Sequence, residues 1–228
     1  PPLSRTLVLL VALLASAMET SADDSASQSD RFSWSFESER PLDELTTVGR
    51  VRVSAGPRSP EFPDFEVHNQ GISLDGRGSR LVSDPETSDA MSCDQGDAIT
   101  STAWIAPRQA SGGSHRYVIG KGRTGGKGFR KDNQNWAVRL TANGHRYQLS
   151  FLFASANGPD KVDWHRWTST ETVRADNGWH HIAVTYRFGK PDSIRGWIDG
   201  KASGGVWDMA GATVEPPIVD HDSVWIGS

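Results

Sequence analysis

The chain has 228 residues, of which 36% are hydrophobic and 23% charged, and a net charge of −4. That length suits one all-β domain with an N-terminal tail, and the charge offers no basic footprint for nucleic acid. The 23 Gly and 12 Pro favour turns over long helices. Nine Trp are spread from Trp34 to Trp225 and form the natural skeleton of a core.

The N-terminus reads as a targeting segment. Arg5 precedes the apolar run Leu7 to Leu14, and Ala15-Ser16-Ala17 follows in small-polar-small order; a second cleavage site ends at Ala22. The run is short for a bilayer span. Residues 1–22 are therefore expected to be a signal peptide, removed on export, with no membrane span in the mature chain. No Cys follows the run, which argues against a lipid anchor. Residues 23–30 are rich in Ser, Asp and Ala and are expected to be a disordered lead-in. Export places the mature domain, 31–228, in the periplasm, on the cell surface or outside the cell.

Phe32 to Glu37 alternates strictly, with Phe32, Trp34 and Phe36 on one face, and predicts a half-buried strand. Glu39 to Thr47 suits a short helical turn, and Val48 to Val53 a second short strand. Pro57, Pro60 and Pro63 enforce irregular chain. Gly71 to Gly76 returns to strand and ends in an Asp-Gly turn. Asp84 to Gly96 reads as polar loop. Asp97 to Pro107 is a long strand stopped by Pro, and Arg116 to Gly120 another. Asn135 to Thr141 and Arg146 to Ala154 form a hairpin around Asn143-Gly144. Val162 to Thr168 follows.

The most informative run is Gly178 to Tyr186, a break at Gly189 to Ser193, then Ile194 to Lys201. Trp179, His181, Ala183 and Thr185 point one way; His180, Ile182, Val184 and Tyr186 point the other. Asp199-Gly200 is a tight hairpin signal. Ser223 to Ser228 closes the chain. The total is about eleven strands with regular turns and no long helix, the pattern of an antiparallel two-sheet β-sandwich or jelly roll.

Several of these runs, in this order, resemble the laminin-G-like jelly-roll domains of the concanavalin-A-like lectin/glucanase superfamily. They are Phe32 to Glu37, Gly71 to Gly76, Ile99 to Pro107, Tyr117 to Gly122, Gly178 to Tyr186 and Gly196 to Lys201. The texture is similar to copies in large secreted bacterial proteins. Such domains usually close with a further strand after the Trp-Ile-Gly segment, so the resemblance implies a fragment with its last strand and any downstream domain missing. It also raises the prospect of calcium at a sandwich edge.

The loops carry the candidate sites. Gly120 to Gly125 spells G-x-G-x-x-G, but Gly126-Lys127-Gly128 cannot start the helix that a dinucleotide site requires. The same loop carries Lys121, Arg123, Lys127, Arg130 and Lys131, cations suited to an acidic glycan or a phosphate; Lys121 and Arg123 enter the ligand set. Asp132, Asn133 and Asn135, or Asp220 and Asp222, offer oxygens for calcium. Trp164, His165, Arg166 and Trp167 form the most lectin-like run, because aromatic faces stack on sugars while Arg and His donate hydrogen bonds. Trp164 and Trp167 differ by three positions, so only one of them faces the core. His165, His180, His181 and His221 lack zinc spacing.

A concanavalin-like hydrolase needs paired acids on one strand face. Glu61 to Glu66 has the wrong order, and Pro63 forbids a central strand. Cys93, the single cysteine, reads as a small buried hydrophobe with its thiol pKa raised by a neighbouring acid. The expectation is thus a non-catalytic binding or interaction module of an exported protein, recognising carbohydrate or another extracellular protein. A structural spacer in a larger secreted protein and a concanavalin-like glycoside hydrolase stay open as alternatives.

Overall fold

The hairpin that dominates the sequence also sets the frame of the fold. A computed structural model describes residues 7–10, 31–37, 42–108, 115–122, 133–158, 161–176 and 178–227. The described strands run, in chain order, β1 (Leu7–Leu10), β2 (Leu45–Val48), β3 (Val51–Ala55), β4 (Gln70–Leu74), β5 (Arg80–Ser83), β6 (Ala98–Pro107), β7 (His115–Lys121), β8 (Trp136–Asn143), β9 (Arg146–Ala156), β10 (Val162–Arg174), β11 (His180–Arg187), β12 (Lys190–Ile198), β13 (Lys201–Ser203), β14 (Gly205–Met209) and β15 (Val224–Ile226). One short helix, α1 (Pro85–Ala90), lies between β5 and β6.

The strands form two antiparallel sheets. One has seven strands in the order β13-β12-β11-β6-β1-β4-β3; the other has eight, in the order β14-β10-β9-β8-β7-β15-β5-β2. Between them lies the core. Ile105, Ile182, Val184 and Tyr186 of the first sheet and Trp136, Leu149, Phe151 and Phe153 of the second are at most 2% exposed. Phe151 packs on Tyr186 at 5.3 Å between ring centroids, and Phe153 meets Trp207 edge-on at 6.0 Å. Such aromatic pairs add about 0.5–1.5 kcal/mol beyond the area they bury.

The alternation expected in β11 is present: Ile182, Val184 and Tyr186 are buried, while His181, Ala183 and Thr185 sit half-buried on the other face. The Asn143-Gly144 hairpin joins β8 to β9 in the register Asn143↔Arg146. Asp199 and Gly200 both take positive φ, 51° and 74°, as a tight two-residue turn requires.

Other expectations fail for identifiable reasons. Phe32 to Glu37 keeps the expected alternation, with Phe32 and Trp34 half-buried, Phe36 buried and Ser33, Ser35 and Glu37 exposed, but it forms no continuous strand: Phe36 takes φ 58°, a left-handed conformation outside the β region. Val48 to Val53 is not one strand but the end of β2 and the start of β3, in different sheets. Gly49, at φ 75°, makes the crossing, and a Cβ there would lie 2.6 Å from Ser79 Oγ. The polar loop 84–96 contains α1, capped by the Asp84 carboxylate, which accepts from Thr87 N–H at 2.8 Å. Lys190 to Ser193 belong to β12 rather than to a break, so the β11–β12 turn shrinks to Phe188-Gly189. Leu7 to Leu10, within the expected signal peptide, form a strand between β4 and β6. The proposed lead-in 23–30 and the remainder of the leader lie outside the described residues.

Candidate functional site

Period-two alternation gives the eight-stranded sheet a second face, turned away from the core. On β8, Trp136, Val138 and Leu140 point inward, so Ala137, Arg139 and Thr141 point outward. On β9, Leu149, Phe151 and Phe153 are core residues, so Ser150, Leu152 and Ala154 face outward. On β10, Trp167 is 3% exposed in the core, so Trp164, Arg166 and Thr168 take the outer face.

Register then lines up residues that are far apart in sequence. Tyr117 pairs with Arg139, Arg139 with Ser150, and Ser150 with Thr168. Adjacent strands lie about 4.8 Å apart, so this transverse row is roughly 14 Å long. It is polar throughout and aromatic at one end. Arg139 Nε donates to Ser150 Oγ at 3.2 Å, and its guanidinium carbon lies 5.8 Å from the Tyr117 ring centroid. The Tyr117 hydroxyl approaches Gln134 Oε1 at 3.4 Å. Thr168 Oγ1 is buried without a hydrogen-bond partner among the described residues. Leaving such a hydroxyl unmet costs about 1–3 kcal/mol, and Arg139, Ser150 and Thr168 are each at most 5% exposed. The next row places Ala137, Leu152, Arg166 and Met209 in line. The Arg166 guanidinium grips Asp208 through two bonds of 2.6 and 3.0 Å.

The lectin-like run is thereby split. Trp164 and Arg166 are half-buried on this face. Trp167 is the tryptophan that enters the core. His165 joins it there: Nε2 meets Ser155 Oγ at 2.9 Å, Nδ1 meets the Gly211 carbonyl at 3.0 Å, and the ring packs on Phe153. Arg139, Ser150, Thr168 and Tyr117 were not singled out by sequence. The one available signal was Arg139 itself, a charge between Val138 and Leu140 within the Asn143-Gly144 hairpin.

Lys121 is not a loop cation. Its side chain is closed to solvent, and Nζ donates to the Asp222 carbonyl at 2.6 Å, with an Asp89 carboxylate oxygen at 3.7 Å. Burial pushes its pKa down, opposed by the charges of Asp89, Asp220 and Asp222. Around it, the Asp89 carboxyl is held below its ordinary range, first by its hydrogen bond to His221 at 2.9 Å. Asp220 and Asp222, offered above as calcium ligands, thus flank an ammonium group.

Asn135 is a structural clip: Oδ1 accepts from Cys93 N–H at 2.7 Å, and Nδ2 donates to the carbonyls of Cys93 and Ile218 at 2.7 and 2.9 Å. Asn133 is wholly buried. Arg123 and Asp132 lie outside the described residues. No cluster of three His, Cys, Asp or Glu with metal-binding geometry occurs among the described residues. Cys93 is buried, and burial first, then Asp97, pushes its thiol up to about 12.

The sandwich architecture and this two-faced second sheet agree with a family model of the concanavalin A-like lectin/glucanases superfamily, of laminin G type, which matches residues 82–228. The chain belongs to this superfamily. Neither a curated protein nor a solved structure matches it. Membership supports a lectin-like binding or structural module in general terms, since the superfamily unites lectins with glucanases. No helix among the described residues is long and apolar enough to cross a membrane.

Proposed function

We propose that this laminin-G-like domain is a non-catalytic binding module of an exported protein, and that its ligand is a carbohydrate held on the outer face of the eight-stranded sheet. The observation that carries the reading is the row Tyr117, Arg139, Ser150 and Thr168, with a buried Thr168 hydroxyl that no described group satisfies. Saccharides offer arrays of hydroxyls that donate and accept, and apolar C–H faces that stack on aromatic rings. The row sets a guanidinium and two hydroxyls, each residue at most 5% exposed, beneath the face, with a ring at its end. Trp164 and Arg166 lie on the same face beside it. Its four residues include no carboxylate, whereas glycoside hydrolysis needs a pair flanking the scissile bond.

A glycan array probed with the full chain, followed by calorimetry on the best ligand, tests this reading. Trp164→Ala and Thr168→Val should each weaken binding about tenfold, the scale of one lost stacking or hydrogen-bonding contact, without lowering the melting temperature. An empty array would favour the spacer reading. Release of reducing ends from any bound glycan would favour the hydrolase.

A further inference from the structure

The fold treats three identical dipeptides differently. Asn-Gly occurs at Asn143-Gly144, Asn157-Gly158 and Asn177-Gly178. In such a pair the Gly nitrogen can attack the Asn side-chain carbonyl carbon and close a five-membered imide, because Gly puts no side chain in the way and bends freely. In an unfolded chain the three bonds are near equals.

At Asn177-Gly178 the attacking nitrogen is already engaged. Gly178 N–H donates to Asp176 Oδ1 at 3.0 Å, and this bond is the first cause holding the Asp176 carboxyl below its ordinary range. At Asn157-Gly158 the amide itself is engaged. Asn157 Nδ2 donates to the Asp163 carboxylate at 3.0 Å, and the Asn157 main-chain N–H donates to the Lys161 carbonyl at 2.8 Å. Ring closure requires the Gly nitrogen to shed its proton and the carbonyl oxygen to take up negative charge. A carboxylate beside the reacting groups opposes both.

Asn143-Gly144 lacks these brakes. Asn143 ends β8 and is exposed; Gly144 opens the two-residue turn at φ 60°. A Cβ on Gly144 would meet nothing within 4 Å, so there is room for the ring. Asn143 Nδ2 donates to the neutral Gln148 Oε1, at 3.3 Å. Register sets Arg146 beside Asn143 and Arg174 beside Arg146. The charges at neighbouring strand positions are therefore positive and favour the anion on the path to the imide.

We propose that Asn143 is a self-modification site, converted by water to aspartate and isoaspartate on the folded domain, while Asn157 and Asn177 are spared. Gly144 N bonds to Asn143 Cγ as the Cγ–Nδ2 bond breaks, and ammonia leaves carrying the proton of Gly144 N–H. Water then opens the imide. Addition at Cγ breaks the new bond and gives aspartate. Addition at the main-chain carbonyl breaks the original bond to Gly144 and gives isoaspartate, with the chain running through Cβ and Cγ. Nothing is oxidised or reduced. Either product sets a carboxylate opposite Arg146. Isoaspartate also lengthens the backbone at the pair that closes the β8–β9 register.

The full chain, incubated at neutral pH and then digested, reports all three sites in one peptide map. Each conversion adds about 1 Da, and enzymatic methylation counts the isoaspartate. In the folded chain Asn143 should convert at least about tenfold faster than Asn157 or Asn177, whereas in urea the three rates should agree to within about threefold. Asp163→Ala removes the carboxylate beside Asn157; it should speed that site at least about threefold and leave Asn143 unchanged. A folded-state rate at Asn157 or Asn177 that equals or exceeds the rate at Asn143 would overturn the proposal. So would a tenfold gap that persists in urea, because the selectivity would then belong to local sequence and not to the fold. An unchanged rate at Asn157 in Asp163→Ala would remove the electrostatic basis of the selectivity and overturn it on that ground.

Discussion

The Lys121 ammonium donates to the Asp222 main-chain carbonyl at 2.6 Å in a position that solvent does not reach. A buried cation needs such partners, since desolvation alone would drive it to neutrality. Asp89, Asp220 and Asp222 are the charges that oppose this. The ammonium therefore holds the rim together beside two of the carboxylates that the sequence offers as calcium oxygens. Lys121→Ala removes both the packing of the stem and the charge and should cost about 3 kcal/mol. Lys121→Met keeps most of the volume and should cost clearly less. The melting temperature of the unaltered domain should not shift on adding EDTA or millimolar calcium. A calcium-dependent rise would return Asp220 and Asp222 to the role of ligands.

Asn135 ties three segments at once. Its amide closes a two-way bond with the backbone of Cys93 and reaches the Ile218 carbonyl. Asn135→Ala would leave one buried N–H and two carbonyls unmet, and should lower stability by about 2–4 kcal/mol. Asn135→Asp keeps the acceptor and loses the donors, so it should be impaired too. Denaturant titration of the two variants, with and without calcium, separates a clip from a metal ligand: a clip predicts the same loss in both conditions.

How much of this was legible beforehand follows from which physical rule each feature obeys. The β8–β9 hairpin and the faces of β11 depend on local turn chemistry and period-two alternation, and both are written in contiguous residues. The row of Tyr117, Arg139, Ser150 and Thr168 depends on strand order and register, which no contiguous stretch encodes. Each of its members looks in isolation like an ordinary outward polar residue. Lys121 was legible and was misread: alternation from the core residue Ile119 places it on the inner face, whereas grouping it with the neighbouring loop cations ignores that phase. The strand status of Leu7–Leu10 was hidden by composition, since an apolar run of that length satisfies a leader and a central strand equally well.

His181 lies half-buried against Trp104, with ring centroids 5.4 Å apart. Burial lowers its pKa below the ordinary 6.5, and the Asp199 charge opposes the shift only in part. The unfolded chain then takes up a proton first as pH falls. Below 6.5 it binds more protons than the folded state, so stability declines toward the lowered folded value and is fully present above 6.5. The slope from this group cannot exceed about 1.4 kcal/mol per pH unit. Denaturant titrations at pH 5, 6 and 7 should show this loss, and His181→Phe, which keeps an aromatic ring beside Trp104, should reduce the slope. An unchanged slope in the variant would assign the acid loss to other groups.

Trp167 owes its place in the core to two glycines on neighbouring strands. A Cβ on Gly196 would lie 2.5 Å from the ring, and one on Gly205 would lie 2.3 Å from it. Both distances are well inside contact, and the ring is boxed in by β12 and β14. Gly196→Ala should therefore cost about 1–3 kcal/mol through overpacking, and Trp167→Leu about 2–4 kcal/mol through the cavity it leaves. The two costs should not add. In the Trp167→Leu background the new methyl enters vacated space, so the double variant should be more stable than the sum implies, by about 1 kcal/mol or more. Urea denaturation of the four proteins in the cycle measures that coupling. Strict additivity would mean that the Trp167 ring moves aside at no cost, and that the glycines are there for another reason.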